Sequence, residues 1–335
     1  MTTSTAGARA GTKILEVADL SVSFVTESGN VSAVDHVTLD LAPGEIVGVV
    51  GESGCGKSVT AMSLAGLLPR SARVTGSVRL RGTELIGAPE TSLRRVRGKE
   101  IAYIFQEPMT SLNPVLTVGR QIGEVLQVHE RLSRKAVKAR AIELLSLVGI
   151  PSAARRVDNY PHQLSGGMRQ RVMIAMAVAC NPTVLVADEP TTALDVTVQA
   201  GILEVLRDLR DRLGTSILII THDLGVIADI ADRVVVMYAG RVVERAPVTS
   251  LFARPQHQYT HGLLNASPTP GRHAGTDRLQ EIPGLVPVLS KQPDACTFAD
   301  RCPAASDTCR GSAPGLSALG SPDHLVACWH PVEAT

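Results

Sequence analysis

The sequence has no hydrophobic run long enough to cross a membrane and no secretory signal. A membrane-spanning helix needs about 20 apolar residues, and no apolar run in these 335 residues approaches that length. The N-terminal stretch MTTSTAGARAGTK contains an arginine and a lysine but no apolar core, which excludes a signal peptide. The chain is therefore predicted to be soluble and to stay in the compartment where it is made.

An excess of one charge, an internal repeat and a disulfide framework are also lacking. The formal net charge is +1, so bulk electrostatics indicate no polyanionic partner, and nucleic acid is not expected to bind. Six cysteines in a chain without a secretory signal argue against a disulfide framework. Four of the six lie within the last forty residues, which calls for a separate explanation: Cys296, Cys302, Cys309 and Cys328.

Three short apolar runs are each followed by a helical pattern. The runs are EIVGVVG (45–51), TVLVADE (183–189) and SILIITHD (216–223). Runs that are apolar on both faces are typical of buried parallel strands. Strands that alternate with helices indicate a parallel sheet covered by helices, so the predicted fold class is α/β.

Other segments predict an antiparallel part, a helical part and a linker. ILEVADLSVSF and VSAVDHVTLDL alternate like antiparallel strands, and RVVVMYAGRVVERA is typical of a hairpin that turns at Ala239 and Gly240. Residues 115–179 show mostly helical patterns. After about residue 265, NASPTPGRHAGTD is rich in proline, glycine and polar residues, as linkers are.

A phosphate-binding loop follows the first of the buried strands. GESGCGKS, from Gly51 to Ser58, fits the motif G-x-x-x-x-G-K-[ST] between a strand and a helix. Lys57 is expected to reach the β- and γ-phosphates, and the Ser58 hydroxyl to ligate Mg²⁺. The alternative, a glycine-rich turn with a surface lysine, fits this context less well; Cys55, at a free position, is interpreted as incidental. The expected nucleotide-binding residues of this stretch are Gly51, Glu52, Ser53, Gly54, Cys55, Gly56, Lys57, Ser58 and Val59.

The second buried strand ends in two carboxylates, Asp188 and Glu189. Open α/β sheets bind ligands at the carboxyl ends of their strands. Asp188 is predicted to lie in the outer shell of the Mg²⁺ ion, and Glu189 to polarise a water molecule for attack on the γ-phosphate. The alternative is a carboxylate pair that caps the following helix. The pair favours a hydrolase over a transferase.

A second helix start also has the features of an anion site. In QLSGGMRQ, Ser165 suits an N-cap, and the apolar residues that follow recur at helical spacing. Gly166 and Gly167 weaken the first turn of this helix, which is explained if a ligand approaches the backbone closely. Free N–H groups at a helix N-terminus attract phosphate. Because one nucleotide needs one such helix per chain, this helix is predicted to be a half-site.

The phosphate loop, LSGGMRQ and the Asp-Glu strand, in this order along the chain, resemble the nucleotide-binding subunits of ATP-binding-cassette (ABC) proteins. The resemblance covers about residues 14–255. It implies a RecA-like P-loop core with an antiparallel β subdomain and a helical subdomain at about 110–180. The remaining parts are a flexible N-terminus, 1–13, and a C-terminal extension, 256–335, which is expected to be irregular.

The resemblance implies roles for further residues. Gln106 matches the Q-loop glutamine, residues 193–195 the D-loop with Asp195, and His222 the switch histidine. Phe24 matches the aromatic residue that stacks on adenine, with an ordinary strand-core aromatic as the alternative; a satisfied core histidine is the alternative for His222. The implied catalytic residues are Glu189, His222, Gln106 and Lys57, and the implied Mg²⁺ ligands are Ser58, Gln106 and Asp188. The implied contacts of the second helix start and the D-loop with ATP are Ser165, Gly166, Gly167, Gln170 and Asp195, mostly toward a nucleotide held by a second subunit.

QEPMTSLNPVLTVGRQI, RPQHQYTHGLL and the cysteine-bearing tail resemble the peptide and nickel importers within this family. The resemblance implies the ATPase subunit of a dipeptide or oligopeptide permease, peripheral on the cytoplasmic side of the membrane. Its partners would be a second, related ABC ATPase in a heterodimer, two membrane permeases and an external solute-binding protein. Nickel and glutathione importers share these motifs and remain alternatives for the type of importer. The alternatives from other classes are a soluble ABC ATPase that acts on ribosomes or DNA, and an inactive regulatory module.

The stretch after Gln106 is apolar and contains prolines, unlike a free surface loop. It is predicted to line a groove for a short permease helix, with Met109 and Leu112 in contact. The alternative is a buried connection that packs within the cassette.

The four C-terminal cysteines are separated by five, six and eighteen residues. Four thiolates can hold a [4Fe–4S] cluster or a structural Zn²⁺ ion. Zinc sites usually contain tight C-x₂₋₄-C pairs, which are missing here, so iron is favoured; the resemblance to peptide-permease ATPases favours it further. Four reduced, unliganded thiols are the third possibility.

Overall fold

The computed structural model describes residues 13–27, 29–106, 111–192, 194–266 and 281–332. The predicted flexible N-terminus and most of the predicted linker lie outside these ranges. The strands are β1 (Leu15–Thr26), β2 (Gly29–Leu41), β3 (Ile46–Val50), β4 (Ala72–Leu80), β5 (Thr83–Glu84), β6 (Ile101–Ile104), β7 (Val184–Asp188), β8 (Ser216–Thr221), β9 (Arg233–Tyr238), β10 (Arg241–Pro247), β11 (Ser317–Leu319) and β12 (Ser321–Val326).

The helices cover the main sheet and form the helical subdomain. They are α1 (Lys57–Leu64), α2 (Glu90–Val96), α3 (Val118–His129), α4 (Arg134–Leu147), α5 (Ala153–Arg156), α6 (Gly166–Ala177), α7 (Val196–Leu213), α8 (Leu224–Ile230), α9 (Val248–Ala253), α10 (Gln258–Ala266) and α11 (Asp307–Gly311). Short 3₁₀ turns lie at Pro161–Gln163 and Ala299–Arg301. No helix within the described ranges is long and apolar enough to cross a membrane.

The main sheet has the order β11-β12-β10-β9-β3-β8-β7-β6 within the described residues. Strands β6, β7, β8, β3 and β9 pair in parallel, while β10 and β12 pair antiparallel at one side. Every residue of β3, β7 and β8 is buried, as expected for strands covered on both faces. The predicted α/β fold with a mostly parallel sheet is confirmed.

A separate antiparallel sheet has the order β2-β1-β4-β5. The predicted pairing of β1 with β2 is confirmed, with Leu15 opposite Leu41 and Phe24 opposite Val31. Strand β4, which was not predicted, pairs with the other edge of β1. Its first half alternates arginine, threonine and serine with apolar residues too weakly to indicate a buried face.

Helix starts in the α-helical part follow the capping signals of the sequence. The side chains of Thr117, Ser133, Ser165 and Asp195 each accept a hydrogen bond from a backbone N–H of the first turn that follows. Such caps satisfy one of the free donors of a helix N-terminus. Helices α3 to α6 lie within the stretch predicted to be mostly helical, and they surround a core that contains Ile122, Leu144 and Val172.

The C-terminal extension is less irregular than its proline and glycine content predicts. Strand β12 extends the main sheet by pairing with β10, Glu244 opposite Val326, and β11 pairs with β12. The pairing satisfies backbone groups that the edge of β10 would otherwise leave free. The buried Glu244 carboxylate strengthens the attachment because it accepts hydrogen bonds from the backbone N–H groups of Gln256 and His257 and contacts His324 Nε2 at 2.6 Å.

Candidate nucleotide-binding site

The phosphate loop connects β3 to α1 with three glycines in left-handed backbone conformations. Gly51, Gly54 and Gly56 have φ values of +153°, +79° and +101°. A Cβ on Gly51 would lie 2.2 Å from the backbone oxygen of Met237, and one on Gly56 2.5 Å from that of Ala33. Glycine is therefore required at both ends of the loop by conformation and by close packing.

The Lys57 side chain is folded into this loop and is 6% exposed. Its ammonium group donates to the backbone oxygens of Gly51 and Glu52 at 2.7 and 2.9 Å, and it lies 3.7 Å from Cys55 Sγ. Cys55 is buried, and burial raises the pKa of its thiol. A buried ammonium at the N-terminus of α1 places positive charge where a phosphate would bind.

Asp188, at the carboxyl end of β7, faces the hydroxyl of Ser58. Asp188 Oδ1 accepts a hydrogen bond from Ser58 Oγ at 3.1 Å, and Oδ2 accepts one from the Tyr103 hydroxyl at 3.2 Å. Burial raises the pKa of Asp188, and the neighbouring Glu189 carboxylate raises it further. A carboxylate beside a hydroxyl supplies the hard oxygen ligands that Mg²⁺ prefers, so this pair fits the predicted ion.

Glu189 is the centre of a polar cluster. Its Oε2 accepts hydrogen bonds from Gln106 Nε2 and Thr192 Oγ1, both at 2.8 Å, and its Oε1 lies 3.1 Å from His222 Nδ1. Burial alone would raise the pKa of Glu189, but the hydrogen bonds from His222 and Thr192 outweigh burial and leave the pKa below its ordinary value. The carboxylate is therefore ionised at neutral pH. Its φ of +48° is uncommon for a residue with a side chain, as is frequent at functional sites.

The cluster opens into a cavity of about 600 Å³. Three of the predicted catalytic residues line it, and the fourth, Lys57, belongs to the phosphate loop, which contributes Glu52 and Ser53 to the lining. Gln106 lies with Glu189 and not with the Ser58–Asp188 pair, so its predicted role as a Mg²⁺ ligand stays a prediction. The residues that line the cavity are Glu52, Ser53, Gln106, Glu189, Thr192, His222, Leu285 and Val286.

The second helix start lies outside this cavity and is presented to solvent. Ser165 is exposed and caps α6 through a hydrogen bond from Met168 N. A Cβ on Gly166 would meet open space, whereas one on Gly167 would lie 2.5 Å from Val198 Cγ1 on α7. The half-site itself stays a prediction.

The remaining predicted nucleotide contacts are not brought to the cavity. Gln170 is buried in α6, Asp195 caps α7, and Phe24 is partly buried against the core of the antiparallel sheet. Val59 also packs against that core. Met109 and Ala193 lie outside the described residues. Leu112 is 3% exposed and belongs to the main core, so the predicted contact with a permease helix is wrong for this residue, which packs within the cassette.

Comparison with known proteins agrees with this geometry. The family "ABC transporter" matches residues 34–192, and the family "Oligopeptide/dipeptide transporter, C-terminal region" matches residues 243–309. A protein of Sinorhizobium fredii named as a probable peptide ABC transporter ATP-binding protein is 53% identical over 322 residues, which are 96% of this chain and 96% of that protein. The chain belongs to the ABC transporter ATPase family.

One further relative and one solved structure match different shares of this ABC ATPase. The oligopeptide transport ATP-binding protein OppD of Mycobacterium tuberculosis is 52% identical over 94% of this chain and 51% of that protein. A dimeric structure of the ATP-binding cassette MJ0796 in a post-hydrolysis state, bound to ADP and Pi, matches with a TM-score of 0.63 and 28% identity. That match covers 70% of this chain and 98% of the other, so the smaller part of this chain has no counterpart in that cassette.

The six cysteines of this ABC ATPase are free thiols. The four C-terminal ones lie near one another: Cys296 N donates to Cys309 O at 2.8 Å, and neighbouring thiols add to the effect of burial in raising the pKa of Cys296 and of Cys302. Within the described ranges, however, no group of three or more His, Cys, Asp or Glu side chains is arranged to hold a metal ion. The [4Fe–4S] cluster and its zinc alternative therefore stay predictions.

Within the described residues, six side chains contact the site without having been predicted. Leu285 and Val286 line the cavity, and the other four contact predicted site residues. Thr192 and Tyr103 hydrogen-bond Glu189 and Asp188, and both follow or end a strand at the same sheet edge, which is a usable signal. Tyr259 and Arg301 contact Glu52 of the phosphate loop. No local pattern indicates these two, because they are 207 and 249 residues away along the chain.

Proposed function

We propose that this chain binds Mg²⁺-ATP in the cavity beside the phosphate loop and hydrolyses it to drive peptide import. The single observation that carries the catalytic part is the position of the Glu189 carboxylate, held by Gln106, Thr192 and His222 at the cavity wall. An ionised carboxylate next to the γ-phosphate position can accept a proton from an attacking water molecule.

The residues of the site divide the work. The loop amides and Lys57 hold the phosphates, and Ser58 with Asp188 would hold Mg²⁺. The ion neutralises charge on the phosphate oxygens when it is bound. Glu189 orients water and takes its proton, while Gln106 and His222 fix the direction of the Glu189 carboxylate and adjoin the same cavity.

The exposed helix start at Ser165 supports a head-to-tail pair of cassettes as the active form. Its capped N-terminus lies outside the cavity of its own chain, and Gly166 leaves its backbone accessible. The related cassette MJ0796 forms a dimer with ADP and Pi. The partner here would be a second, related ABC ATPase, so that each nucleotide lies between one phosphate loop and the other subunit's Ser165–Gly167 segment or its equivalent.

The peptide-importer assignment rests on the relatives and on the C-terminal region. Both named relatives are peptide or oligopeptide transport ATP-binding proteins, and residues 243–309 match the corresponding C-terminal family. The chain would then lie on the cytoplasmic side of the membrane, bound to two permease subunits that receive cargo from an external binding protein.

The test is purification of the complex through a tag on this chain. Two permeases, a second ABC ATPase and an external binding protein are expected to co-purify, and ATP hydrolysis is expected to rise when peptide-loaded binding protein is added. Stimulation by a nickel chelate or glutathione instead would correct the cargo. Recovery without membrane proteins, together with stimulation by ribosomes or DNA, would contradict the importer.

We also propose that Cys296, Cys302, Cys309 and Cys328 bind a metal centre, with [4Fe–4S] preferred over Zn²⁺. The support is the proximity of the four thiols and their hydrogen bonds from backbone N–H groups. Burial raises the pKa of Cys296, Cys302 and Cys328, and the N–H groups of Phe298, Ala304 and His330 offset part of this rise. Hydrogen bonds of this kind stabilise sulfur ligands of iron–sulfur clusters.

Anaerobic purification followed by iron, sulfide and zinc analysis tests this part separately. About four iron and four sulfide per chain, with absorbance near 400 nm, is the expected result. About one zinc per chain would replace the cluster by a zinc site. Absence of both metals would leave four unliganded thiols.

A further inference from the structure

Arg301 of the C-terminal extension forms a bidentate ion pair with the phosphate loop. Its Nη1 and Nη2 donate to Glu52 Oε2 and Oε1 at 2.7 and 3.0 Å. The Arg301 side chain is 6% exposed and that of Glu52 30%, so the guanidinium is buried and the carboxylate partly exposed. The bidentate geometry and the buried guanidinium distinguish this pair from a surface salt bridge.

The same guanidinium reaches two other elements. Nε donates to Pro283 O at 2.7 Å, and Nη2 to Ile282 O at 3.2 Å. Nη1 donates to the Tyr238 hydroxyl at 3.4 Å, and Cζ lies 5.7 Å from the centre of the Tyr238 ring, at the end of β9. An arginine whose donors are divided between three elements fixes their relative positions, which a lysine with its single ammonium cannot do.

Glu52 is also held from its backbone. Its N–H donates to the hydroxyl of Tyr259 at 2.8 Å. Tyr259 lies on α10, is fully buried, and packs against Tyr238 and Phe298. Both groups that hold Glu52, the Tyr259 hydroxyl and the Arg301 guanidinium, therefore belong to the extension beyond residue 255.

The segment that Arg301 holds also forms part of the cavity. Ile282 and Pro283 lead directly to Leu285 and Val286, which line the cavity together with Glu189 and His222. A displacement of Arg301 would thus move the start of the phosphate loop and one wall of the catalytic cavity together.

We propose that Arg301 is a positioning residue of the nucleotide site, through which the C-terminal extension sets the phosphate loop for ATP. The inference rests on the proposed ATP site and deepens it. Arg301 acts through Glu52: it fixes the first turn of the loop, so that the amides that follow and Lys57 meet the phosphates without reorganisation. Its loss therefore weakens nucleotide binding more than it slows the chemical step.

The test compares Arg301→Ala, Arg301→Lys, Glu52→Gln and the double variant in the full-length chain. Arg310→Ala is the matched control, because Arg310 is an exposed arginine of the same extension. The measurements are affinity for a fluorescent ATP analogue, thermal unfolding, and KM and kcat for ATP in the assembled complex.

We expect Arg301→Ala to weaken nucleotide binding and raise KM by about tenfold, which is within the range typical of coupled sites, with kcat within about twofold of the parent. Glu52→Gln should have a similar effect, and the double variant should be no worse than Arg301→Ala, since both single variants disrupt the same Arg301–Glu52 ion pair. The nucleotide affinity and KM of Arg301→Lys should lie between those of the parent chain and those of Arg301→Ala.

Unchanged affinity in Arg301→Ala would overturn the inference. So would a fall in activity that follows only the folded fraction, with KM unchanged, because that result would make Arg301 a stabilising residue alone. Additive effects in the double variant would show that Arg301 does not act through Glu52. If the unsubstituted chain binds no ATP analogue, the proposed function itself fails, which distinguishes the two failures.

Discussion

Replacement of Glu189 by glutamine changes the proposed base while it preserves its shape. Glutamine has the same number of heavy atoms, and its single carbonyl oxygen can still accept from Thr192 or Gln106. Of the three groups that now contact the Glu189 carboxylate, one would face the new NH₂ group. If that group is His222, its imidazole can change tautomer and accept a hydrogen bond from the NH₂ group. We therefore expect a change of at most about 1 kcal/mol in the free energy of unfolding.

The effect on hydrolysis should be far larger than the effect on stability. An amide cannot take a proton from water, and loss of one positioned base lowers a rate by about 100- to 10,000-fold. This range corresponds to about 3 to 5 kcal/mol in the activation barrier. ATP binding should persist, since Lys57, Ser58 and Asp188 are unchanged, and the pair of cassettes should accumulate in its ATP-bound, closed form.

Single-turnover ATP hydrolysis in the assembled complex measures this effect directly. Glu204→Gln is the matched control, because Glu204 is an exposed glutamate on α7, away from the cavity. The partner's own site must first be inactivated, so that residual activity belongs to this chain. A Glu189→Gln rate within about tenfold of the control would refute the role of Glu189 as the base.

The remaining predictions concern the second helix start, the buried carboxylate and pH. Gly166→Ala should leave the fold intact, because a Cβ there meets open space, but it should prevent ATP-dependent pairing of cassettes. Gly167→Ala should itself destabilise the chain by about 1–3 kcal/mol, because its Cβ would lie 2.5 Å from Val198 Cγ1. Denaturant unfolding and gel filtration with ATP separate the two effects, and equal behaviour of both variants would contradict the half-site. Glu244→Ala should lower stability by about 3–5 kcal/mol, because three donors lose a fully buried acceptor; a melting temperature equal to that of Glu204→Ala would disprove this. Burial lowers the pKa of His257 to about 4, so between pH 6.5 and 4 the native state binds fewer protons than the unfolded chain. The free energy of unfolding should therefore keep its full His257 contribution above pH 6.5 and lose it as the pH falls from 6.5 to 4. Urea unfolding of His257→Gln should show a smaller loss over this range than the parent chain, and an identical loss would exclude His257 as the cause.

The parts of the fold that the sequence predicted are those specified by short segments. The apolar runs of β3, β7 and β8, and the glycines and lysine of the phosphate loop, carry their information within a few residues. Caps such as Ser165 and Asp195 fix helix starts in the same local way. Such features can be recognised without knowledge of any distant contact.

The parts that escaped prediction depend on contacts between distant segments. The pairing of β12 with β10 adds residues beyond 320 to a sheet that begins at residue 46. The ion pair of Arg301 with Glu52 joins residues 249 positions apart. Neither contact leaves a periodic pattern or a motif, since each requires one suitable residue at one place in the folded chain.

The most direct test of the central claim is peptide accumulation in vesicles that contain the purified complex. Peptide-loaded binding protein is added outside and Mg²⁺-ATP is enclosed, with the parent chain and Glu189→Gln compared at equal protein content. The account predicts ATP-dependent accumulation of labelled peptide with the parent chain and at least about 100-fold slower accumulation with the variant. Accumulation that does not require ATP, or that proceeds equally well with Glu189→Gln, would contradict it.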